Sequence, residues 1–189
     1  MIVINLWGAP SSGKSTTAAG LFFLMKINKF KVELVAEFAK DLVWDRHDSL
    51  FGNQLYIFAE QNRRLARLVD HGLDFAIIDS PIPLPAFYKP GGYLNGFDDL
   101  VFEQFHRYNN LNYFLHRTGT FEKIGRRHNE TESERLSGDL REFMRKHRLD
   151  LTEMDANPKT PEKILADIQK RLPPTVDALP FALPDGSES

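Results

Sequence analysis

Short apolar runs alternate along this chain with longer stretches in which apolar residues recur every three or four positions. The short runs are typical of strands buried on both faces, and the longer periodicity is typical of helices with one apolar face. The pattern predicts strands at residues 2–7, 31–36, 75–79, 112–116 and 149–154. It predicts helices at residues 15–27, 37–44, 51–71, 98–108, 131–147 and 161–172.

Strands that alternate with helices predict one three-layer α/β domain with a five-stranded parallel sheet. We place this domain at residues 1–172 and predict that residues 173–189, which are Pro-rich and acidic, form a loosely attached tail. In such folds ligands bind at the carboxyl ends of the strands. Polar groups lie at this end of three predicted strands. A glycine-rich loop follows the first strand, Glu37 follows the second and Asp79 ends the third.

The glycine-rich loop is Gly8-Ala9-Pro10-Ser11-Ser12-Gly13-Lys14-Ser15, a complete G-x-x-x-x-G-K-[ST] sequence between a strand and a helix. In this pattern small residues let backbone N–H groups surround phosphates, the lysine reaches the β- and γ-phosphate oxygens, and the hydroxyl ligates Mg²⁺. The positive end of the following helix adds to the attraction. The sequence therefore predicts a P-loop NTPase fold that binds ATP with Mg²⁺. The predicted nucleotide-binding residues are Gly8, Ser11, Ser12, Gly13, Lys14, Ser15 and Thr16.

Asp79 has the position of a Walker B acid, which holds the Mg²⁺ sphere together with the loop hydroxyl, here that of Ser15. The alternative role for this acid is to cap the turn after the strand. Motor ATPases follow this position with a Glu that activates water, whereas this chain has Ser80. That difference favours phosphoryl transfer to an acceptor over hydrolysis. The lack of an Asn-Lys-x-Asp sequence argues against a GTPase.

A kinase needs an acid that orients or deprotonates the acceptor hydroxyl, and arginines that stabilise the transferring phosphoryl group. Glu37 is the candidate base, although an acid at the start of a helix also suits the helix dipole. Arg117 follows the fourth strand and is a candidate nucleotide-binding residue. Arg126 and Arg127 lie in a glycine-containing loop, which we predict to be part of a mobile lid at about residues 117–130. The alternative for these arginines is a solvated helix face.

Gln54 and Gln61 lie on the long predicted helix that would border an acceptor cleft. A Gln side chain can pair with a pyrimidine or amide edge through two hydrogen bonds, as a base-selecting pocket requires. Tyr88 flanks a predicted loop that contains Pro90-Gly91-Gly92, and it is placed to close over an acceptor. Simple solvation of a polar helix face is the alternative for both glutamines.

The composition is that of an ordinary globular chain of 189 residues, 42% hydrophobic and 26% charged. There is no cysteine, so a disulfide frame and a thiolate metal site are excluded. No apolar run reaches the length of a membrane span, and the chain starts directly with its first strand. We therefore expect a cytoplasmic protein without a membrane partner. The net charge of −2 is not the signature of a nucleic-acid-binding protein.

Several segments of the chain together resemble a known group of kinases. These segments are the phosphate loop, Glu37-Phe38-Ala39-Lys40, residues 54–61 and Ile78-Asp79-Ser80-Pro81. They look like AAA-type P-loop kinases related to the ribosylnicotinamide kinase domain. The small kinase-like proteins of bacterial viruses are more similar still, because counterparts also exist for residues 108–115, Gly125-Arg126-Arg127 and Thr131-Glu132. The resemblance covers about residues 1–170. It implies a nucleoside- or nucleotide-kinase-like fold, and the host cytoplasm as location if the chain is phage-encoded.

Some members of that viral group resemble enzymes that phosphorylate 5-hydroxymethyluracil in DNA, and the resemblance alone implies this activity. Three hypotheses stay open at this point. In the first, the chain is a kinase for a nucleoside-type acceptor, and the most specific candidate is 5-hydroxymethyluracil in phage DNA. In the second, it is a small-molecule kinase for ribosylnicotinamide or a (deoxy)nucleotide. The third hypothesis is a regulatory P-loop ATPase without an acceptor. Each of them uses ATP and Mg²⁺, and none of them predicts an oligomeric state.

Overall fold

A computed structural model of the chain describes residues 1–122 and 129–172, which are built around one parallel sheet. The strands are β1 (Ile2–Trp7), β2 (Val32–Val35), β3 (Phe75–Ile78), β4 (Asn109–Arg117) and β5 (Thr152–Ala156), in the spatial order β2-β3-β1-β4-β5. The helices are α1 (Lys14–Ile27), α2 (Phe38–Trp44), α3 (Gln54–Ala66), α4 (Leu84–Tyr88), α5 (Phe97–His106), α6 (Glu130–Lys146) and α7 (Thr160–Arg171). A 3₁₀ helix at Asp48–Gly52 precedes α3.

Successive residues of the central strands point to opposite faces of the sheet and so build two separate cores. On one face Val3 and Phe114 pack with apolar residues of α3, α5 and α6. On the other face Ile4 and Leu115 pack with apolar residues of α1 and α7. The predicted three-layer α/β architecture with a five-stranded parallel sheet is confirmed.

The parallel register brings the ends of three strands to one edge of the sheet. Val35 of β2 and Asn5 of β1 both lie beside Ile78 of β3. The residues that follow these strands are therefore neighbours in space, although they are far apart in the sequence. This is the edge at which the phosphate loop, Glu37 and Asp79 were expected to meet.

The helix expected at residues 51–71 is shorter than the sequence pattern predicts. Asn53 ends the 3₁₀ helix and begins α3, because its side chain accepts a hydrogen bond from Tyr56 N at 3.1 Å. Asn is a favoured N-cap residue for this reason. After Ala66 the chain turns, and Asp70 has a left-handed φ of 47°. The apolar periodicity continues through these turns, which is why it overestimates the helix.

Three further elements differ from the expectation, and one of them is β4, which begins at Asn109 rather than at residue 112. Helix α4 lies in a proline-rich segment for which no helix was predicted, and Leu84 N donates to Pro81 O at 2.9 Å there. Proline is tolerated in the first turn of a helix because its fixed φ suits that position. Strand β5 begins at Thr152 rather than at residue 149, because Leu149 packs into the core beside α6 and its N–H donates to Met144 O.

The boundary between domain and tail stays a prediction, because residues 173–189 lie outside the described residues. Residues 123–128 lie outside them too, and with them Arg126, Arg127 and much of the predicted lid. Within residues 1–122 and 129–172, no helix has both the length and the apolar character needed to cross a membrane.

Candidate active site

The phosphate loop joins the end of β1 to the start of α1. Gly8, Ser11 and Gly13 take φ values of 144°, 64° and 87°. Left-handed residues in a short turn are the conformations in which successive backbone N–H groups converge on an anion. The positive end of α1 begins at Lys14, so backbone and helix dipole together favour a phosphate at this position.

Lys14 lies against the loop that precedes it. Its Nζ donates to the carbonyl oxygens of Gly8 at 2.8 Å and Ala9 at 3.0 Å. The ammonium group is therefore held at the rim of the loop, where a triphosphate would place its terminal phosphates.

Gly8 occupies a position that no larger residue fits. A Cβ there would lie 2.4 Å from Ser12 Oγ and 2.7 Å from the backbone oxygen of Leu115, and the φ of 144° disfavours any side chain. We expect Gly8→Ala to lower the free energy of unfolding by about 1–3 kcal/mol, because overpacking a closed site forces backbone shifts. It should also weaken ATP binding. Urea unfolding and titration calorimetry with ATP measure the two effects.

Gly138→Ala is the matched control for this substitution. A Cβ at Gly138, in α6, would meet no heavy atom within 4 Å. Alanine is a better helix former than glycine, so this variant should be as stable as the parent or slightly more stable, by about 0.5–1 kcal/mol. Equal stability and equal ATP affinity of Gly8→Ala and Gly138→Ala would show that the loop is not constrained as described.

Ser15 and Asp79 form a direct contact at the end of β3. Ser15 Oγ donates to Asp79 Oδ2 at 2.7 Å, and Asp79 is only 7% exposed. The second carboxylate oxygen, Oδ1, is buried and has no hydrogen-bond partner among the described residues. Mg²⁺ takes oxygen ligands and usually completes its octahedron with phosphate oxygens and water. The pair fits this ion, which Ser15 and Asp79 would hold together.

A cavity of about 310 Å³ extends from the phosphate loop to the helices beside β2 and β3. Its polar lining beyond the loop comes from Glu37, Lys40, Gln54, Ser80 and Tyr88. Its apolar lining comes from Ala39, Val43, Phe51, Ile57, Leu84 and Pro85. Residues that bind phosphate and residues that can hold an organic ligand therefore share one cavity.

Glu37 lies in this cavity directly after β2, as the N-cap residue of α2. Burial, and to a smaller extent the nearby Glu37 carboxylate, raises the pKa of Tyr88 far above its ordinary value. The structure thus brings Glu37 and Tyr88 together beside Lys14 and Ser15, as the sequence predicts.

The two glutamines have different positions. Gln54 is 4% exposed, lines the cavity, and is fixed by a 2.8 Å hydrogen bond from its Nε2 to Phe51 O. Gln61 is 2% exposed and is not part of the cavity lining. Its amide instead hydrogen-bonds Phe38 N at 2.8 Å and Ala36 O at 3.3 Å. Gln61 is therefore not placed to bind an acceptor directly, which corrects the expectation from the sequence.

Arg117 lies in a second cavity, of about 620 Å³, which shares Ser11, Ser12, Gly13 and Thr16 with the first. The Arg117 side chain is 16% exposed, and its guanidinium pairs with Glu130 at 2.7 Å and Glu134 at 3.0 Å. The remaining lining comes mainly from the last residues of β4 and β5 and the loops that follow them, at residues 117–120 and 156–158. The two cavities meet at the phosphate loop.

The segments on both sides of residues 123–128 contact the phosphate loop. Ser11 Oγ accepts a hydrogen bond from Glu122 N at 2.7 Å, and Ser133 Oγ donates to Pro10 O at 2.6 Å. Helix α6 starts with a capping box formed by Asn129 and Glu132. The predicted contact of Arg126 or Arg127 with phosphate stays a prediction, because both lie between these anchors and outside the described residues.

Sequence reasoning missed the role of Lys40 and Val43 as cavity residues. They follow Glu37 at intervals of three along α2, so all three lie on one helix face. That spacing was the available signal. The spacing identifies these residues as cavity residues only when it is known which face of α2 points toward the phosphate loop.

A family model described as an AAA domain matches residues 3–160 of the chain. No curated protein matches it in sequence. Similar solved structures include deoxyadenosine kinase from M. mycoides with bound dATP, at 16% identity and a TM-score of 0.55, covering 89% of this chain and 99% of that chain. Thymidylate kinase from Ehrlichia chaffeensis is similar at 15% identity and a TM-score of 0.52, covering 89% of this chain and 98% of that chain. These likenesses show the P-loop fold of nucleoside and nucleotide kinases.

Proposed function

We propose that this chain, which belongs to the AAA domain family matched over residues 3–160, is an ATP-dependent kinase for a nucleoside-type acceptor. The observation that carries the proposal is that two cavities meet at one phosphate loop. The cavity lined by Arg117 has room for the base and ribose of ATP, and the cavity lined by Glu37 has room for an acceptor. A molecule in each would bring the γ-phosphate and an acceptor hydroxyl together above Lys14.

The proposed reaction is a single phosphoryl transfer. The acceptor oxygen forms a bond to the γ-phosphorus, the bond from that phosphorus to the bridging β-phosphate oxygen breaks, and ADP leaves. The proton of the acceptor hydroxyl passes to the Glu37 carboxylate. Lys14 stabilises the negative charge that spreads over the phosphoryl oxygens. When bound, Mg²⁺ held at Ser15 and Asp79 neutralises charge on the phosphates.

The walls of the first cavity support an organic acceptor over water. Val43, Phe51, Ile57, Leu84 and Pro85 make much of its lining apolar. A site for hydrolysis alone does not need such a wall, and apolar walls with a few placed polar groups are typical of small-molecule sites. The regulatory ATPase hypothesis therefore receives no support from the shape of the cavity.

The size of the cavity limits how DNA could serve as the acceptor. About 310 Å³ is near the lower limit for small-molecule pockets, so the cavity fits one nucleoside and not a duplex. A 5-hydroxymethyluracil in DNA would have to be extruded from the helix, at a cost of a few kcal/mol. The most specific form of the proposal is that the acceptor is such an extruded base. Its support is the resemblance to viral DNA-base kinases.

Lys40 favours acceptors that carry a phosphate next to the nucleoside. It lines the cavity, and no ion pair joins it to another residue in the described part of the chain. A cation in this position attracts the phosphate of a nucleotide or of a DNA strand. Ribosylnicotinamide has a positively charged ring and no phosphate, so Lys40 does not favour it.

We expect labelled phosphate from ATP to enter duplex DNA that contains 5-hydroxymethyluracil, and not unmodified DNA. Phosphate-backbone contacts would make this transfer decline steeply with salt, with a log–log slope of about −0.9 for each contacted phosphate. The comparison also offers the hydroxymethyl nucleoside, its 5′-monophosphate and ribosylnicotinamide. Label that enters only these small compounds would reject the DNA acceptor and keep the kinase. No transfer to any acceptor, together with slow ATP hydrolysis, would favour the regulatory ATPase.

Lys40→Gln is the internal control for the acceptor series. It keeps a polar side chain, although one bond shorter, and removes the positive charge. It should lower kcat/KM for acceptors that carry a phosphate and leave kcat/KM for the uncharged nucleoside unchanged. An equal effect on both classes would show that Lys40 does not recognise the acceptor phosphate.

A further inference from the structure

We infer that Gln61 is a positioning residue that holds the backbone on both sides of Glu37, so that the Glu37 carboxylate faces the reaction cavity. The inference rests on the proposed role of Glu37 as the base. Gln61 Oε1 accepts from Phe38 N at 2.8 Å, and Gln61 Nε2 donates to Ala36 O at 3.3 Å. These two backbone groups flank Glu37 directly.

The contact with Phe38 satisfies a backbone N–H at the start of α2, where Glu37 makes no cap hydrogen bond. The first N–H groups of a helix lack partners within the helix, and an N-cap side chain normally accepts from one of them. Glu37 is the N-cap residue of α2, yet its side chain makes no cap hydrogen bond. Because Gln61 accepts from Phe38, the first N–H of α2 is satisfied by another helix. The Glu37 side chain can then lie in the cavity, where the structure has it.

The apolar pattern of α3 makes a glutamine at this position informative. The buried face of α3 contains Gln54, Ile57, Phe58, Gln61 and Leu65, so position 61 is a core position. A buried amide costs free energy unless it is hydrogen-bonded, and an apolar side chain would pack there without that requirement. The residue present is the one whose donor and acceptor match the two backbone groups around Glu37.

Arg64 supports the same segment one turn later on α3. Its guanidinium pairs with Asp41 of α2, and Nη1 donates to Ala36 O at a longer 3.4 Å. The guanidinium carbon lies 5.1 Å from the centre of the Phe38 ring. Helix α3 therefore fixes both the entry to α2 and its first turn, and Gln61 makes the contacts nearest to Glu37.

The position of a base matters more to the rate than to binding. A displacement of about 1 Å at the reacting groups can cost roughly 100-fold in rate. We expect Gln61→Met, which keeps the approximate shape and loses both hydrogen bonds, to lower kcat roughly 10- to 100-fold. The Kd for ATP should not change, because Gln61 does not line either cavity. Gln104→Met, at a half-buried glutamine of α5 that lines neither cavity, is the matched control and should leave kcat unchanged.

The decisive measurement is a double-mutant cycle with Glu37→Gln. If Gln61 acts through Glu37, adding Gln61→Met to Glu37→Gln should cause little further loss of kcat, since the base is already gone. The same fractional loss in both backgrounds, or no loss from Gln61→Met alone, would overturn the inference and leave the role of Glu37 intact. If Glu37→Gln has normal activity, the proposed base fails instead, and the two failures are thereby distinguished.

A second variant covers the case in which Gln61→Met does not fold. Gln61→Glu has the shape of the parent residue and keeps an oxygen that accepts from Phe38, while its ionised form cannot donate to Ala36. It enters the same cycle with Glu37→Gln. Loss of kcat that disappears in the Glu37→Gln background supports the inference, and a loss that persists there overturns it.

Discussion

Lys14→Ala is expected to lower phosphoryl transfer by at least about 100-fold, while the chain still folds. One preorganised donor aimed at developing charge contributes ~3 kcal/mol to catalysis, which is slightly more than 100-fold in rate. Lys14 is the cation of the phosphate loop, and its Nζ lies beside the carbonyls of Gly8 and Ala9. The measurement is kcat/KM with labelled ATP and the best acceptor from the series above.

Lys26→Ala on the same helix is the control for this substitution. Lys26 lies in the last turn of α1, with its Nζ 5.2 Å from the centre of the Phe22 ring, and it is not part of either cavity. It should leave transfer unchanged. Near-normal transfer by Lys14→Ala would contradict the nucleotide site as a whole. The other predictions for this cavity also assume that the γ-phosphate lies beside Lys14.

The phosphate loop could be predicted from the sequence because its chemistry is contiguous. Every group needed to surround a phosphate lies within Gly8 to Thr16, and the strand before and the helix after it are visible in the apolar pattern. The meeting of Asp79 with Ser15 required one further step. Parallel strands bring their carboxyl ends to one edge, so an acid at the end of β3 had to lie near the end of β1.

The wall of the acceptor cavity could not be predicted in the same way. It combines one residue of the 3₁₀ helix with two or three residues each of α2, α3 and α4. The 3₁₀ helix and α4 are short elements without a clear apolar period. Their positions depend on how the segments after β2 and β3 pack against each other. Phe51 illustrates this, since the sequence places it in a long helix and the structure places it in the 3₁₀ helix before Asn53.

The two glutamines show why residue type alone did not identify their roles. Both lie on the buried face of α3 and have the same hydrogen-bonding groups. Gln54 is at the first residue of α3 and faces the cavity, whereas Gln61 is two turns further and meets the backbone around Glu37. Only the packing of α3 against the start of α2 shows that the Gln54 amide faces the cavity and that the Gln61 amide holds the backbone around Glu37.

Glu37→Gln is expected to lower kcat by about 10²–10⁴-fold, with almost no change in the Kd for ATP. General-base catalysis contributes a factor of this size, and the amide keeps the shape of the side chain but cannot accept the acceptor proton. Steady-state kinetics with the best acceptor gives kcat, and titration with ATP in the absence of acceptor gives the Kd. A lower kcat at constant ATP affinity identifies an interaction made in the transition state.

Glu33→Gln provides the control, since Glu33 lies on β2, four residues before Glu37, and lines neither cavity. Its carboxylate accepts only from the adjacent Leu34 N among the described hydrogen bonds, so its neutralisation should leave kcat unchanged. If Glu37→Gln weakens ATP binding and transfer together, the acid contributes to the nucleotide site rather than to the acceptor step. If it changes neither, Glu37 is only the acid at the start of α2, whose charge suits the helix dipole. A selective loss of kcat is the one outcome that requires its carboxylate to act on the acceptor hydroxyl.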